Sequence, residues 1–169
     1  MPSELTHTPV FLVGYKSYAE DEHAIYLDVE KGVCGHLARV VGSQRFDMSF
    51  AYSAPFSHPM YDETSVWMQQ VGWVTHENVA FIQRLCETVK PPGRQWDDEG
   101  GELPPNRRRH SQHWASDVIG LLRWQRAMEP LGPGDNGDRF EIEHRRSPPP
   151  SSSNEKPKGE KVSDSFAPS

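Results

Sequence analysis

The sequence is short of cysteine, of long apolar runs and of basic charge, and each shortage removes a class of protein. Cys34 and Cys86 are the only cysteines among 169 residues. Two so far apart form neither a disulfide framework nor a zinc-ligand spacing, which fits a reducing, intracellular setting. No basic segment precedes the single N-terminal apolar run, PVFLVG, so neither a secretory leader nor a membrane span is expected. A net charge of −6 argues against a general nucleic-acid binder, which carries a basic surplus. Five of the 18 basic and three of the 24 acidic side chains fall in residues 145–169, leaving 13 against 21 elsewhere. The region expected to fold is therefore more acidic than the whole. The expectation from these features is a soluble cytoplasmic protein without a membrane anchor.

What is present suits one domain, smaller than the length suggests. Hydrophobic residues make up 35% of the chain, against 15 prolines and 13 glycines. Residues 1–8 read as a flexible leader. Pro9–Tyr15 (PVFLVGY) predicts a first strand, followed by an acid-rich loop from Tyr18 to Glu22. His23–Val29 (HAIYLDV) predicts a second strand, Glu30-Lys31-Gly32 a turn, and Cys34–Gly42 the return arm of a hairpin. Phe46–Tyr52 alternates, with Phe46, Met48, Phe50 and Tyr52 on one face, as a half-buried fourth strand. SAPFSHPMYDET is irregular, and VWMQQVGWV predicts a further strand. Thr75 would cap a helix from His76 to Val89, whose Val79, Ile82, Cys86 and Val89 make a buried stripe that Lys90-Pro91-Pro92-Gly93 ends. After a polar loop, Arg94–Asn106, a second helix is expected over Arg107–Arg123, because Ser111, Ala115, Val118 and Leu122 recur at helical spacing. Residues 130–169 are rich in Pro, Gly and Ser and predict a disordered tail. The expected fold is α+β: an antiparallel β-meander of four to five strands packed against two helices, in a domain spanning residues 9–129.

Three residues attract chemical attention together. Ser111 stands in the first turn of the second helix, at the positive end of its dipole, where a nucleophile or an anion is commonly held. His23 and His36 lie on the two arms of the expected hairpin and can converge at its open end if register allows. Packing the helix start on that sheet brings Ser111 to the same place. A nucleophile, a base and a group that orients the base form the arrangement of a papain-like thiol hydrolase. The segment HAIYLDVEKGVCGHLA resembles the H-W-A-I-Y-V…H-L-A segment of the lecithin retinol acyltransferase-like family, a circularly permuted branch of the NlpC/P60, papain-like fold. HSQHWASDV is similar to that family's N-C-E-H-F-V-N-E-L helix start. The layout also resembles small fungal proteins that pair an H-W-A strand with an N-C-Q-x-W-V helix. The likeness covers about residues 9–126. It implies a permuted papain-like domain in which His23 is the general base, His36 its orienter, and Ser111 occupies the position of the acyl-carrying Cys.

The sequence departs from that pattern where the chemistry is concentrated. Ser111 stands for Cys, His110 for Asn, and Ala24 for the Trp after the first His. A helix N-terminus and a nearby imidazolium can lower a thiol pKa from about 8.5 to roughly 3.5–7.5. A serine hydroxyl starts several units higher and stays protonated under the same influence. The expected function is thus that of a catalytically impaired pseudoenzyme. It would bind an acyl, peptide or protein ligand in a cleft lined by His110, Gln112, His113 and Trp114. One alternative is an active hydrolase or acyltransferase using Ser111 with His23 as base. Another is a structural interaction module whose partner binds the tail or the loop of Arg107, Arg108 and Arg109, whose charge opposes the helix dipole and suits an anionic partner. Plainer roles stand beside these: Ser111 as a helix-start cap, and His23 and His36 as half-buried polar residues of a hairpin. His110, His113 and His76 lack a Cys or acid to complete a metal spacing, so no metal or cofactor is expected. Cys34 and Cys86 read as packing residues, and Trp67, Trp73, Trp96, Trp114 and Trp124 as core or cleft wall.

Overall fold

The apolar run PVFLVGY lies at the centre of a sheet. A computed structural model describes residues 7–18, 20–43, 45–132 and 137–144. β1 (His7–Tyr15) pairs antiparallel with β2 (Glu22–Glu30) on one side and with β5 (Ser65–Thr75) on the other. A strand flanked on both sides and covered on both faces needs continuous rather than alternating apolarity, which is how β1 and β2 read. β3 (Cys34–Val41) and β4 (Ser49–Ser57) continue outward beyond β2, and β6 (Arg139–Glu141) closes the far edge next to β5. The order is β4-β3-β2-β1-β5-β6, with every pairing antiparallel. The first four strands form the expected meander. The fifth crosses back to pair with β1.

The β2–β3 turn is built by its own residues. Gly32 adopts φ +72, a left-handed conformation open to glycine, and its N–H donates to the Asp28 carboxylate at 3.1 and 3.2 Å. β4 begins three residues later than the alternation predicts. Met48, Phe50 and Tyr52 do pack against the core, but Phe46 falls in the preceding turn and is 72% exposed. β4 also runs on through Pro55 into the stretch expected to be irregular. An edge strand tolerates that proline, because one row of its N–H groups has no partner strand.

Both helices cover one face of the sheet. α1 (Val79–Thr88) contributes Val79, Ile82 and Cys86. α2 (Ser111–Trp124) contributes Trp114, Ala115, Val118, Ile119 and Leu122. These meet Val10, Ile25, Leu27, Ala38, Val40, Val71 and Val74 in one buried cluster. At roughly 1.5–3 kcal/mol for each large side chain taken out of water, this layer is the main source of stability. The opposite face carries a smaller cluster, Val13, Tyr15, Ala24, Tyr26, Leu37 and Met68, with the His58 ring edge-on to Tyr26.

Several boundaries move from their expected places. A 3-10 turn over His76–Asn78 precedes α1, and Thr75 makes no side-chain cap. α2 starts at Ser111, four residues after Arg107, because the His110 N–H donates to His113 Nδ1 at 3.0 Å and fixes His110 as the cap. Arg107 ends a separate 3-10 turn, Pro105–Arg107. Cys34 is only half-buried, and its thiol donates to Glu30 at 3.4 Å. Trp124 is 78% exposed and belongs to no core. His7 and Thr8 belong to β1 rather than to a leader, and Arg139–Glu141 form a strand rather than part of a tail. The rest of the expected leader and tail, residues 1–6, 133–136 and 145–169, lies outside the described residues.

Two glycines give opposite predictions. A Cβ at Gly35 would sit 1.8 Å from the Leu27 carbonyl oxygen, whereas one at Gly120, inside α2, meets open space. Gly35→Ala is expected to destabilise the domain by about 1–3 kcal/mol. Gly120→Ala should stabilise it by about 0.5–1 kcal/mol. Urea unfolding of both variants checks the pair.

Candidate functional site

Ser111 is the first residue of α2 and is 4% exposed. Its Oγ accepts a hydrogen bond of 3.0 Å from the backbone N–H of His23, near the start of β2. Next to it, Gln112 Nε2 donates to the Asp21 carbonyl at 2.8 Å. The first turn of α2 is thus stitched to residues 21–23 by two side chains. Among the described residues, no hydrogen bond links the His23 imidazole to Ser111.

That imidazole is held elsewhere. Gly14 pairs with His23 on one side and with Trp67 on the other, so the three lie in one row across the sheet. Gly14 supplies no side chain between them, and a Cβ there would come within 2.3 Å of the Trp67 indole. The His23 and Trp67 rings therefore meet edge to face, with centroids 4.9 Å apart at 88°. Trp67 Nε1 donates to the Asp21 carboxylate at 3.3 Å, and the Arg139 guanidinium stands 3.6 Å from the centre of the indole. Burial, and then the Arg139 charge, push the His23 pKa below its ordinary 6.5, while Asp21 pulls the other way.

His36 does not join this group. Leu27 pairs with His36, four residues along β2 from His23, or about 13 Å at 3.3 Å per residue. The two histidines share a face, but at opposite ends of the hairpin. His36 Nδ1 shares a 2.6 Å hydrogen bond with the Tyr52 hydroxyl on β4, and the two rings meet edge to face. Burial, with a lesser contribution from His76, lowers its pKa too. The expected trio is split, with His23 and Ser111 adjacent and His36 apart.

The expected binding residues divide likewise. Trp114 is fully buried, donates through Nε1 to the Val89 carbonyl at 3.2 Å and leans on Phe50, so it is core and not cleft wall. Arg108 is engaged by Glu102 at 2.7 Å and by the Leu103 carbonyl at 2.6 Å, and Arg109 pairs with Asp117. Those carboxylates neutralise two of the three arginines expected to attract an anion; Arg107 is exposed. His110 stacks obliquely on His113, with Nε2 3.9 Å from Glu20, whereas His76 lies near His36. No metal-binding cluster of His, Cys, Asp or Glu exists among the described residues.

Two depressions flank the Ser111–His23 contact. One, of about 380 Å³, is lined by Glu20, Asp21 and Glu22 together with His110 and Ser111. The other, of about 560 Å³, has His23, Gln112, His113, Ser116 and Arg123 on its walls, with Leu12 and Ile119 beneath, and no carboxylate. Asp21 on the first and Gln112 on the second are joined by their hydrogen bond. Sequence reasoning missed Gly14, Trp67, Asp21 and Arg139. The alternation in RFEIEH was the available signal for Arg139; the contact between Trp67 and His23 depends on strand order, which carries no local signal.

The buried contact and the depressed imidazoles have measurable consequences. Ser111→Ala leaves the His23 N–H without its acceptor and is expected to cost about 1–3 kcal/mol in urea unfolding. Because His23 and His36 bind protons less readily folded than unfolded, acid favours the unfolded chain. Unfolding free energy should therefore hold above pH 6.5, the ordinary histidine value, and decline as pH falls below it. His23→Gln should make that decline shallower, as read from urea midpoints across the same pH series.

Comparison with known proteins yields one match. No curated protein and no solved structure matches the chain. A family model spans residues 10–129, from β1 through the end of the helical layer, and stops short of β6. The chain belongs to that family, described as a family of unknown function (DUF6540).

Proposed function

We propose that this is a catalytically inert domain of permuted papain-like type, which holds a ligand in the depressions beside the start of α2. The observation that carries this reading is the 3.0 Å bond from the His23 N–H to Ser111 Oγ. A nucleophilic hydroxyl must hand its proton to a base, yet the atom facing Ser111 Oγ is a donor. The imidazole that would serve as base rests against Trp67, and the histidine that would orient it is bonded to Tyr52. Ser111 then works as a structural stitch, keeping the helix start and the strand start together as the floor between two pockets. Carboxylates on one side and histidines with Arg123 on the other suit an extended, polar ligand such as a peptide more than a compact apolar one.

A second reading, a serine hydrolase, is favoured only by the nearness of Ser111 to His23, and one experiment separates the two. Wild type, Ser111→Cys and Ser111→Cys with His23→Ala are each treated with a fluorophosphonate probe, an iodoacetamide-type probe and a short-chain thioester. Wild type should take up no fluorophosphonate at Ser111 and turn over no thioester. The Ser111→Cys thiol, at the N-terminus of α2, should alkylate faster than half-buried Cys34 and buried Cys86. It should keep that advantage with His23→Ala, because the imidazole rests on Trp67; loss of it would make His23 a base and overturn the inert reading. Fluorophosphonate on Ser111 of the wild type would replace the inert reading with a serine hydrolase. An unreactive Ser111→Cys thiol would remove the papain-like scaffold from consideration.

A further inference from the structure

The outer edge of β5 is occupied by the chain's own β6. β6 is three residues long and exposed throughout. It is nevertheless held in register: Gln69 opposite Arg139, Met68 opposite Phe140, Trp67 opposite Glu141. Three further hydrogen bonds extend the contact: Ile142 N–H to the Val66 carbonyl at 3.0 Å, Gly137 N–H to the Gln70 carbonyl at 2.8 Å, and Gln69 Nε2 to the Gly137 carbonyl at 2.9 Å.

Successive side chains of this segment go to opposite faces and find different partners. Arg139 sits over the Trp67 indole on the helix-bearing face. Phe140 and Ile142 lie on the other face, where Ile142 packs against the cluster of Met68 and Tyr26. Main-chain bonds along an edge, with alternate side chains sorted into distinct sites, is the pattern by which sheets recruit extended peptides. β6 is also weakly attached, since short exposed strands with few buried contacts open at low free-energy cost. The family match ends at residue 129, so the docking edge lies within the matched region and its occupant outside it.

We infer that the β5 edge binds an extended peptide of the pattern basic–apolar–any–apolar, and that residues 139–142 occupy it in cis as an internal competitor. The basic residue stacks on Trp67 and the two apolar residues fill the face around Met68. The site is separate from the depressions beside Ser111, and the inference does not depend on the domain being inert. It does predict that occupancy is felt at His23, because Trp67 touches both Arg139 and the His23 ring.

The test uses the full chain and a labelled peptide of residues 138–144, DRFEIEH. Peptide affinity is measured by fluorescence anisotropy for wild type, for Arg139→Ala, and for Phe140→Ser combined with Ile142→Ser. A tethered competitor acts at an effective concentration in the millimolar range. Weakening it in the double variant should tighten peptide binding by about tenfold or more relative to wild type. The single Arg139→Ala chain should gain about two- to fivefold, the worth of one exposed cation–π contact. A peptide carrying the same Arg139→Ala change should lose a similar factor. Bound peptide should shift the Trp67 indole N–H and the His23 ring signals in NMR spectra. Equal affinity for all three chains overturns the inference, as does binding that leaves Trp67 unshifted. If circular dichroism shows the double variant unfolded, Arg139→Ala decides: affinity equal to wild type overturns it. Should wild type sediment as a dimer that Arg139→Ala weakens, while no peptide is captured, the occupant is a second copy and the peptide assignment is overturned.

Discussion

The hydrogen bond from the His23 amide to Ser111 Oγ is the constraint from which the arrangement of this domain follows. It joins the first residue of the second helix to the start of the second strand across 88 positions of sequence. A buried N–H left without an acceptor is costly, so the contact fixes where the helical layer begins. With that end pinned, α2 runs chiefly across β2 and β3, while the cluster it shares with α1 reaches Val10 on β1 and Val71 and Val74 on β5. The two depressions lie on either side of the pinned end. A cleft beside a helix N-terminus is thus a by-product of how the layers are joined.

Around this contact the sheet acts as a lateral relay. Gly14 lacks a side chain in the row that contains His23 and Trp67, and the two rings close over the gap. Trp67 in turn is fixed by Asp21 from the loop before β2 and by Arg139 from the last strand. Two neighbouring segments, the β1 end and the acid loop, and two distant ones, β5 and β6, therefore converge around one imidazole. Its depressed proton affinity reflects that crowding: burial removes water and the guanidinium adds like charge. The imidazole packs edge-on against the Trp67 indole, makes no hydrogen bond to Ser111, and forms part of the wall of the larger depression.

His36 shows the same logic in reverse. On the hairpin's other arm it has the company of Tyr52 and His76, and its hydrogen bond secures the β3–β4 edge. The hairpin length decides the matter. With three turn residues, Lys31 to Val33, and Leu27 opposite His36, the second histidine lies beside the closed end of the hairpin while His23 marks the open one. A shorter hairpin would have put them together.

The sequence by itself determined the elements whose cause is local. Apolar periodicity located both helices, β-favouring runs located β1, β2, β3 and β5, and Gly32 with Asp28 specified the hairpin turn. The turn position did not contain the final register: counting outward from Lys31–Val33 pairs His36 with Asp28, and an irregularity between Leu27 and Glu30 shifts it to Leu27, on the face that His23 shares. The boundaries that failed were those where a local pattern ran past its physical limit. The alternation from Phe46 continues through a turn, and the arginines before Ser111 follow helical spacing while standing outside the helix. Tertiary structure alone decided the rest. Pairing β5 with β1 rather than β4 brought Trp67 to His23 across Gly14, and docking β6 on β5 carried Arg139 out of a composition that reads as tail. Strand order and edge docking are settled by which surfaces remain uncovered once the layers pack. That is a property of the assembled molecule, and no local stretch of sequence encodes it.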